Sequence, residues 1–564
     1  MKILGIHQGH DSSAAAVIDG KVVADVQEER FNRVKHSSDL PMASILYCME
    51  QCGIEDINGF DRISFSWSTT PPHLASVLNL PIKKSKTLKQ YALNLAKKFF
   101  GANNHVPPIY FKDLKLKDPT KFINNDHHRM HAASAYFTRK SNDKCLIFTA
   151  DGAGDNVSTA VWLASGNKIK PLSRLSGFEA GIGWAYSIVT EGLHWIHGDG
   201  EGKTMGLAPY GDPKACKGKL DHLFPVFNGT ELSKPSKIQK GNSFMLRGSN
   251  QFHFEQAREV EKLVEEFGRE AIAAEAQRKL EEVMIGYVQA WCLKMEISKV
   301  AAAGGLFLNV KLNQRIWENR GTIMDEYHVY PNPADSGLAV GAALHEYYQH
   351  NRFNGATFDH LYLGPEYSDA YIENVLKTCK VNYEKLSHPA KTAAKYLANN
   401  KIIAWFQGRM ESGPRALGNR SILMSPIHPE NKNTINAYVK FREGFRPFCP
   451  SLLYEHIQDY LIDSKEELFM ITSYTVQPDK KNRIPAVVHQ DGTLRAQMVK
   501  RELNPCYWEL INEFGNLTGE YIVLNTSFNV MGEPIINTPE EALRGFFGSG
   551  IDLLFIGDFI VYKK

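Results

Sequence analysis

The chain lacks any CxxC pair, and its eight cysteines (Cys48, Cys52, Cys145, Cys216, Cys292, Cys379, Cys449 and Cys506) are scattered. This excludes a zinc ribbon and a thioredoxin-like redox site. Cysteine this sparse fits a reducing compartment better than a disulfide framework, so a cytoplasmic location is expected. No apolar run reaches the ~18 residues of a membrane span. The opening MKILGIHQGHDSS turns polar too soon for a secretory leader, so no membrane partner is expected. A one-signed charge excess is also missing. Lys+Arg number 65 and Asp+Glu 62, for a net +3, which argues against a nucleic-acid-coating protein. What remains is ordinary globular composition, 43% hydrophobic and 23% charged over 564 residues, long enough for roughly two to four domains.

Two stretches share a pattern. Met1 to Ile6 is apolar, GHDSS follows as a loop, Ala14 to Ile18 is apolar, Asp19-Gly20 makes a turn, and Val22 to Val26 is apolar again. Later, Cys145 to Ala150 reads as a strand, Asp151 to Asp155 as a loop, and Thr159 to Ala164 as a strand turned by Ser165-Gly166-Asn167. The pair points to a duplicated α/β unit. Between Phe254 and Met295 the chain reads as helix, with Ala276, Leu280, Val283, Tyr287 and Trp291 on one core-facing side. Residues 350–356 are polar and helix-breaking, a linker to a second α/β domain. In that domain Thr392–Ala398 and Pro539–Phe547 read as helices, and Lys401–Phe406, Tyr521–Leu524 and Leu553–Tyr562 as strands. The basic stretch from Lys83 to Lys98 reads as a solvated helix.

Four constellations bear chemistry. His127 and His131 are four apart, so on a helix they share one face about 6 Å apart. This spacing can put two imidazoles on one metal, and it also arises by chance. Asp151 at a strand end and Asp335 before a helix add carboxylates where α/β sheets build sites. A mixed N/O set suits Fe(II), Mn(II) or Zn(II), while either Asp alone reads equally as a turn or cap residue. The Gly304-Gly305 pair, followed by Asn309 and Asn313, is either a plain strand-to-helix turn or a close backbone approach to a ligand. Gly198 to Gly211 is a glycine-rich stretch with Lys203. The GxxxxGK(S/T) frame fails because position 197 is His197, leaving an anion contact, a lid or a surface turn. Finally, Gly413-Pro414-Arg415 through Ser421, with Lys440, Arg442, Arg446 and Arg495 and the loop Asn525 to Asn529, can clamp a polyanionic small molecule.

Six motifs, in order along nearly the whole chain, resemble the O-carbamoyltransferases of the nodulation and antibiotic-tailoring type: HDSSAA, EERFNRVKH, HHxxHAASAY, GEGKxMGLAPYG, GGLFLN and GPRALGNRS. The resemblance implies an α/β fold: a duplicated actin/sugar-kinase/heat-shock-protein-like (ASKHA) carbamoyl-transfer domain over 1–352, then a YrdC-like domain over 360–564. It implies two steps. Carbamoyl phosphate and ATP, with Mg(II), give carbamoyl adenylate in the rear domain. The carbamoyl group then passes to a hydroxyl of a small acceptor in the front domain.

By position, the resemblance makes His127, His131, Asp151 and Asp335 ligands of iron, Fe(II) or another divalent transition metal. Gly305, Asn309 and Asn313 become contacts to the adenylate. His10 becomes the general base, and Asp11 its orienting partner or an acceptor contact. Arg415, Lys440, Arg446, Arg495, Asn525, Ser527 and Asn529 become contacts to ATP or carbamoyl phosphate. The resemblance identifies no role for residues 83–104 and is compatible with a homodimer. Carbamoyl transfer to a protein thiol or a tRNA-linked acceptor is the alternative. The thiol-directed relatives carry CxxC zinc fingers, and the RNA-directed ones need an RNA-binding surface.

Overall fold

The computed structural model describes residues 1–81, 114–176, 181–233, 255–530 and 532–563. The unassigned stretch 83–104, including the basic segment, lies outside them.

The front half is the duplicated unit. Strand β1 (Lys2–His7) pairs antiparallel with β2 (Ser13–Ile18), and β2 with β3 (Lys21–Gln27). On its other side β1 runs parallel to β4 (Arg62–Phe65), which runs parallel to β5 (Phe122–Asn124). The order is β3-β2-β1-β4-β5. After helix α1 (His127–Phe137) the order recurs. Strands β6 (Cys145–Gly154), β7 (Val157–Ser165) and β8 (Lys168–Ser176) form the antiparallel part. Strands β9 (Lys299–Ala303) and β10 (Glu326–Val329) then add parallel to β6, giving β8-β7-β6-β9-β10. Two identical orders with identical strand senses make this an ASKHA-type fold, as the resemblance implies, and the duplication itself is what the hairpin pattern points to.

Helices fill the space between and around the sheets. Helix α2 (Glu201–Leu207), α3 (Arg269–Met295) and α4 (Val310–Glu318) belong to the second copy, and α5 (Leu338–His350) runs back against β1 and α1. The fit leaves no room for side chains at two glycines. A Cβ on Gly5 would lie 1.9 Å from the Ala339 carbonyl oxygen, and one on Gly341 2.1 Å from that of Met130. The expected apolar stripe on α3 is buried throughout.

Three local expectations are corrected. The 254–295 region is two helices, Ala257–Phe267 and α3, because Gly268 at φ +85° breaks the run. The 151–155 loop is largely strand, since β6 runs to Gly154 and turns at Asp155-Asn156, both with positive φ. The glycine-rich 198–211 stretch is mostly helical: α2 continues into a 3-10 turn at Ala208–Tyr210.

The rear half is built on an eight-stranded mixed sheet drawn from residues 382–562 and also holds a small three-stranded sheet of Leu461–Ile462, Tyr474–Val476 and Thr493–Leu494. Its strands are β11 (Asn382–Lys385), β12 (Ile403–Phe406), β13 (Arg420–Met424), β14 (Cys449–Leu453), β15 (Gln497–Val499), β16 (Ile522–Ser527), β17 (Leu553–Ile556) and β18 (Phe559–Tyr562). They lie in the order β11-β18-β17-β12-β13-β16-β14-β15. Helices Pro389–Ala398 and Pro505–Thr518 share one apolar core with this sheet, and Pro539–Phe547 another.

Polar groups bind the halves together. The Arg30 Nη2 donates to the Gly413 carbonyl at 2.8 Å, the Arg409 Nη2 to that of Val23 at 2.9 Å, and Ser412 to buried Asp25. Arg320 grips Asp463 through two bonds of 2.8 Å.

Candidate functional site

The front cluster assembles from three elements. Helix α1 begins at His127 because the Asp126 side chain accepts the Arg129 N–H as its cap. This start sets His127 and His131 on one face, their ring centroids 4.9 Å apart. Asp151 comes from the far part of β6, and Asp335 from the turn before α5. The His131 Nε2 lies 3.1 Å from Asp151 Oδ2 and 3.4 Å from Asp335 Oδ1. The His127 Nε2 lies 3.6 and 3.5 Å from the same two carboxylates. One ligand atom from each residue falls within 4.8 Å of all the others. Gly154 permits the packing, since a Cβ there would sit 2.1 Å from the His127 ring.

These residues fit a divalent cation. Both histidines are buried, and the His127 Nε2 and Asp335 Oδ1 have no hydrogen-bond partner, a costly arrangement unless a further group satisfies them. Burial disfavours a charged His127, yet Asp335 and Asp151 outweigh it and push its pKa up to about 10. The cluster therefore demands positive charge, which a bound metal would supply in place of the proton.

His7, at the end of β1, extends the cluster. Its Nε2 is 3.7 Å from Asp335 Oδ2 and 3.1 Å from the His10 carbonyl oxygen, and its Nδ1 is 2.8 Å from Ser66 Oγ. His10 is about half exposed, with its Nε2 3.6 Å from Asp11 Oδ2. Asp11, at φ +59°, also meets His36 Nδ1 at 2.8 Å. On the other flank, a Cβ on Gly305 would lie 2.9 Å from Asp151 Oδ1, so the glycine keeps backbone close to the cluster. Asn309 caps α4 through Leu312 N–H at 2.9 Å, and its amide donates to Gln277. Asn313 is fully buried. Its amide donates to the carbonyls of Phe307 and Ile471 at 2.8 and 2.7 Å and accepts from Tyr327 at 3.1 Å. That leaves it holding the rear half against α4, with neither amide hydrogen spare.

The rear cluster collects cations. Glu411 Oε1 accepts N–H groups from Leu417, Asn419 and Arg420 at 2.7, 2.7 and 3.0 Å, shaping the loop that carries Arg415. Arg495 donates to Cys449 Sγ through Nε at 2.8 Å and Nη2 at 2.6 Å. Burial, then the neighbouring guanidiniums, push Arg415 and Arg442 down to about 9. Arg446 is lowered by burial and by Arg495, against the pull of Glu443 and Asp199. Lys440 ends a π-helical turn (Asn436–Lys440) and donates to Asn529 Oδ1 at 2.7 Å and Ser527 Oγ at 3.3 Å. Asn525, opposite Cys449 in the sheet, has a buried unpartnered Oδ1. Cations that depress one another need an anion.

The structure thus brings together all four proposed ligands, and separately the guanidiniums of Arg415, Arg446 and Arg495. Sequence reasoning assigned no role to His36, although it sits in EERFNRVKH, and missed Asp199, Glu411 and His7. The pairings of His36 with Asp11 and Asp199 span 25 and 163 positions, that of His7 with Ser66 spans 59, and Glu411 acts through a loop's shape, none of which a local pattern reveals.

The chain is similar to known proteins along its whole length. Residues 2–344 match a family described as the carbamoyltransferase N-terminus and residues 394–563 one described as the carbamoyltransferase C-terminus. The chain is 34% identical to nodulation protein NolNO of Sinorhizobium fredii, over 98% of this chain and 79% of that one. It is 31% identical to the uncharacterized protein MJ1058 of Methanocaldococcus jannaschii, over 100% of both. Among solved structures, T. kodakarensis HypF aligns with a TM-score of 0.31 and 13% identity, over 62% of this chain and 48% of that one. A transferase of carbamoyl groups is the class so defined, and the chain belongs to the carbamoyltransferase family. Among the described residues, no helix is long and apolar enough to cross a membrane.

Proposed function

We propose that this carbamoyltransferase is ATP-dependent and acts on a hydroxyl of a small natural product. The rear half, read as YrdC-like, binds carbamoyl phosphate and ATP-Mg(II) through Arg415, Lys440, Arg446, Arg495, Asn525, Ser527 and Asn529. Phosphate is released from carbamoyl phosphate by water. The resulting carbamate attacks the ATP α-phosphorus, expelling pyrophosphate and forming carbamoyl adenylate.

In the front half, His10 takes the acceptor's proton as its oxygen attacks the carbamoyl carbon. The bond to AMP breaks and AMP leaves. An imidazole is the side chain most often placed as a general base, and this one is about half exposed to an incoming acceptor. His127, His131, Asp151 and Asp335 would hold a divalent transition metal, with iron the ion expected from the resemblance. Such a metal would supply Lewis-acid polarisation of the carbamoyl oxygen. Gly305 and Asn309 lie on the flank where the adenylate is expected.

The observation that carries this reading is the pairing of opposite demands in one chain: an imidazole-carboxylate cluster that wants a cation and a guanidinium cluster that wants a polyanion. The test incubates the full chain with ATP, carbamoyl phosphate and a panel of hydroxylated metabolites. Pyrophosphate release that requires carbamoyl phosphate, together with an acceptor that gains a carbamoyl group by mass spectrometry, supports it. The His10→Ala variant is expected to keep pyrophosphate release and lose product. Equal loss of both would refute the division of labour.

A further inference from the structure

The mechanism above leaves His36 without a task, yet its surroundings are specific. It follows Lys35 in the connection between the short helix Glu29–Asn32 and the next element, with φ +55°. Its two ring nitrogens face two carboxylates from different parts of the chain. Nδ1 is 2.8 Å from Asp11 Oδ1, and Nε2 is 3.3 Å from Asp199 Oδ1. Its ring lies on that of His10, with centroids 4.8 Å apart and planes 14° from parallel. Its backbone N–H donates to Glu29 Oε2 at 2.9 Å, and Glu29 pairs with Arg30 at 2.7 Å. Arg30 in turn reaches the Gly413 carbonyl, two residues before Arg415. One continuous line of bonds therefore runs from the phosphate-side loop to the ring plane of His10.

Taking the transfer role of His10 as read above, we infer that His36 is a positioning residue: a cation clamped between Asp11 and Asp199 that fixes the plane of the His10 ring and the charge that ring faces. The charged groups around it are Asp11 from the β1–β2 loop, Asp199 from the segment before α2, Lys35 beside it in sequence, His10 across the stack, and Glu29 at its backbone. Two carboxylates against one lysine hold the imidazolium. Burial disfavours the charge, but Asp11 and Asp199 outweigh burial and Lys35 and push the pKa up to about 10. Asp11 bridges the stacked pair, with Oδ1 on His36 Nδ1 and Oδ2 3.6 Å from His10 Nε2, so a shift of either ring disturbs the other's contact. Because both ring nitrogens of His36 already face carboxylates, the group acts as the cation of this cluster and no metal is needed there.

The test labels the full chain with diethyl pyrocarbonate, which acylates a neutral imidazole, and follows the His10 peptide by mass spectrometry across pH. Replacing the stacked cation by a neutral group in His36→Asn is expected to raise the pH of half-maximal His10 labelling by about one unit, the effect of a unit charge at that distance in a half-wet site. His36→Arg, which keeps a flat cation, is expected to restore the wild-type profile. His36→Phe keeps a ring without charge and is expected to shift as His36→Asn does, which covers the case where the asparagine variant fails to fold. Identical profiles for wild type and the folded neutral variant overturn the inference, as does a shift that arginine leaves in place. Labelling requires neither ATP nor acceptor. A chain that shows the shift but releases no pyrophosphate would therefore sink the carbamoyl-transfer reading alone.

Discussion

The Lys203 Nζ lies 3.0 Å from Glu443 Oε1, tying helix α2 of the front half to the loop that carries Arg446. The contact looks like a latch, but both side chains are a quarter to a third exposed. Exposed pairs contribute ~0–1 kcal/mol. A double-mutant cycle with Lys203→Ala and Glu443→Gln, read by denaturant unfolding, is expected to give a coupling below about 1 kcal/mol. A larger coupling would mean that this pair, and not the buried contacts of Arg30 and Asp25, carries the domain interface.

Asn313 discriminates between two roles. Its amide is fully engaged by Phe307, Ile471 and Tyr327. Asn313→Ala leaves two carbonyls and a hydroxyl without partners, and the expected loss is about 1–3 kcal/mol of unfolding free energy. Pyrophosphate release in buffer at moderate temperature should change little. A large fall in turnover with an unchanged melting curve would instead make it an adenylate contact.

Gly154 offers a route to the front cluster that leaves every proposed ligand in place. In Gly154→Ala the new methyl group collides with the His127 ring. Bound divalent metal, measured by plasma mass spectrometry after purification in iron-supplemented medium, is expected to fall by ~10-fold or more, as when a ligand's supporting shell is disturbed. The rear half should be untouched, so pyrophosphate release would persist.

The His36 clamp makes stability depend on pH in a definite direction. Its folded pKa is raised, from an ordinary 6.5 to about 10. The clamp's contribution is therefore complete below about 6.5, where the unfolded chain is also protonated, and is lost as pH climbs through about 10. Urea midpoints of wild type and His36→Asn are expected to differ most at neutral and lower pH and to converge above pH 10. A gap that widens toward high pH would contradict the assignment of charge.

Much of this molecule was legible from local rules. The hairpin turn at Asp19-Gly20 and the i, i+4 imidazoles of α1 follow from periodicity and turn chemistry, and they are where the sequence pattern puts them. So are the helix Pro539–Phe547, opened by a Thr538–Glu541 capping box, and the α3 stripe. Boundaries slipped where one backbone angle decides, as at Gly268. The 198–211 stretch misled because four glycines in ten residues read as loop, whereas Thr204 and Leu207 bury enough surface to hold a helix. The four ligands were nameable but not their convergence, which depends on a sheet order bringing β6 beside β9 and on α5 lying against α1. For Asn313 the motif offers a ligand contact, and what no local pattern reveals is its hold on main-chain carbonyls 6 and 158 positions away.

The repeated strand order has a consequence for how this protein can change. The loop between β1 and β2 bears His10 and Asp11, and its counterpart, the Asp155-Asn156 turn between β6 and β7, closes the strand that carries Asp151. The same address in the strand order thus occurs twice, once in each copy. On the function proposed above, drift in the first loop would retune how an acceptor is deprotonated while the second copy's residues stayed free to hold an ion. New acceptors can be explored by one copy with the other as an unchanging anvil.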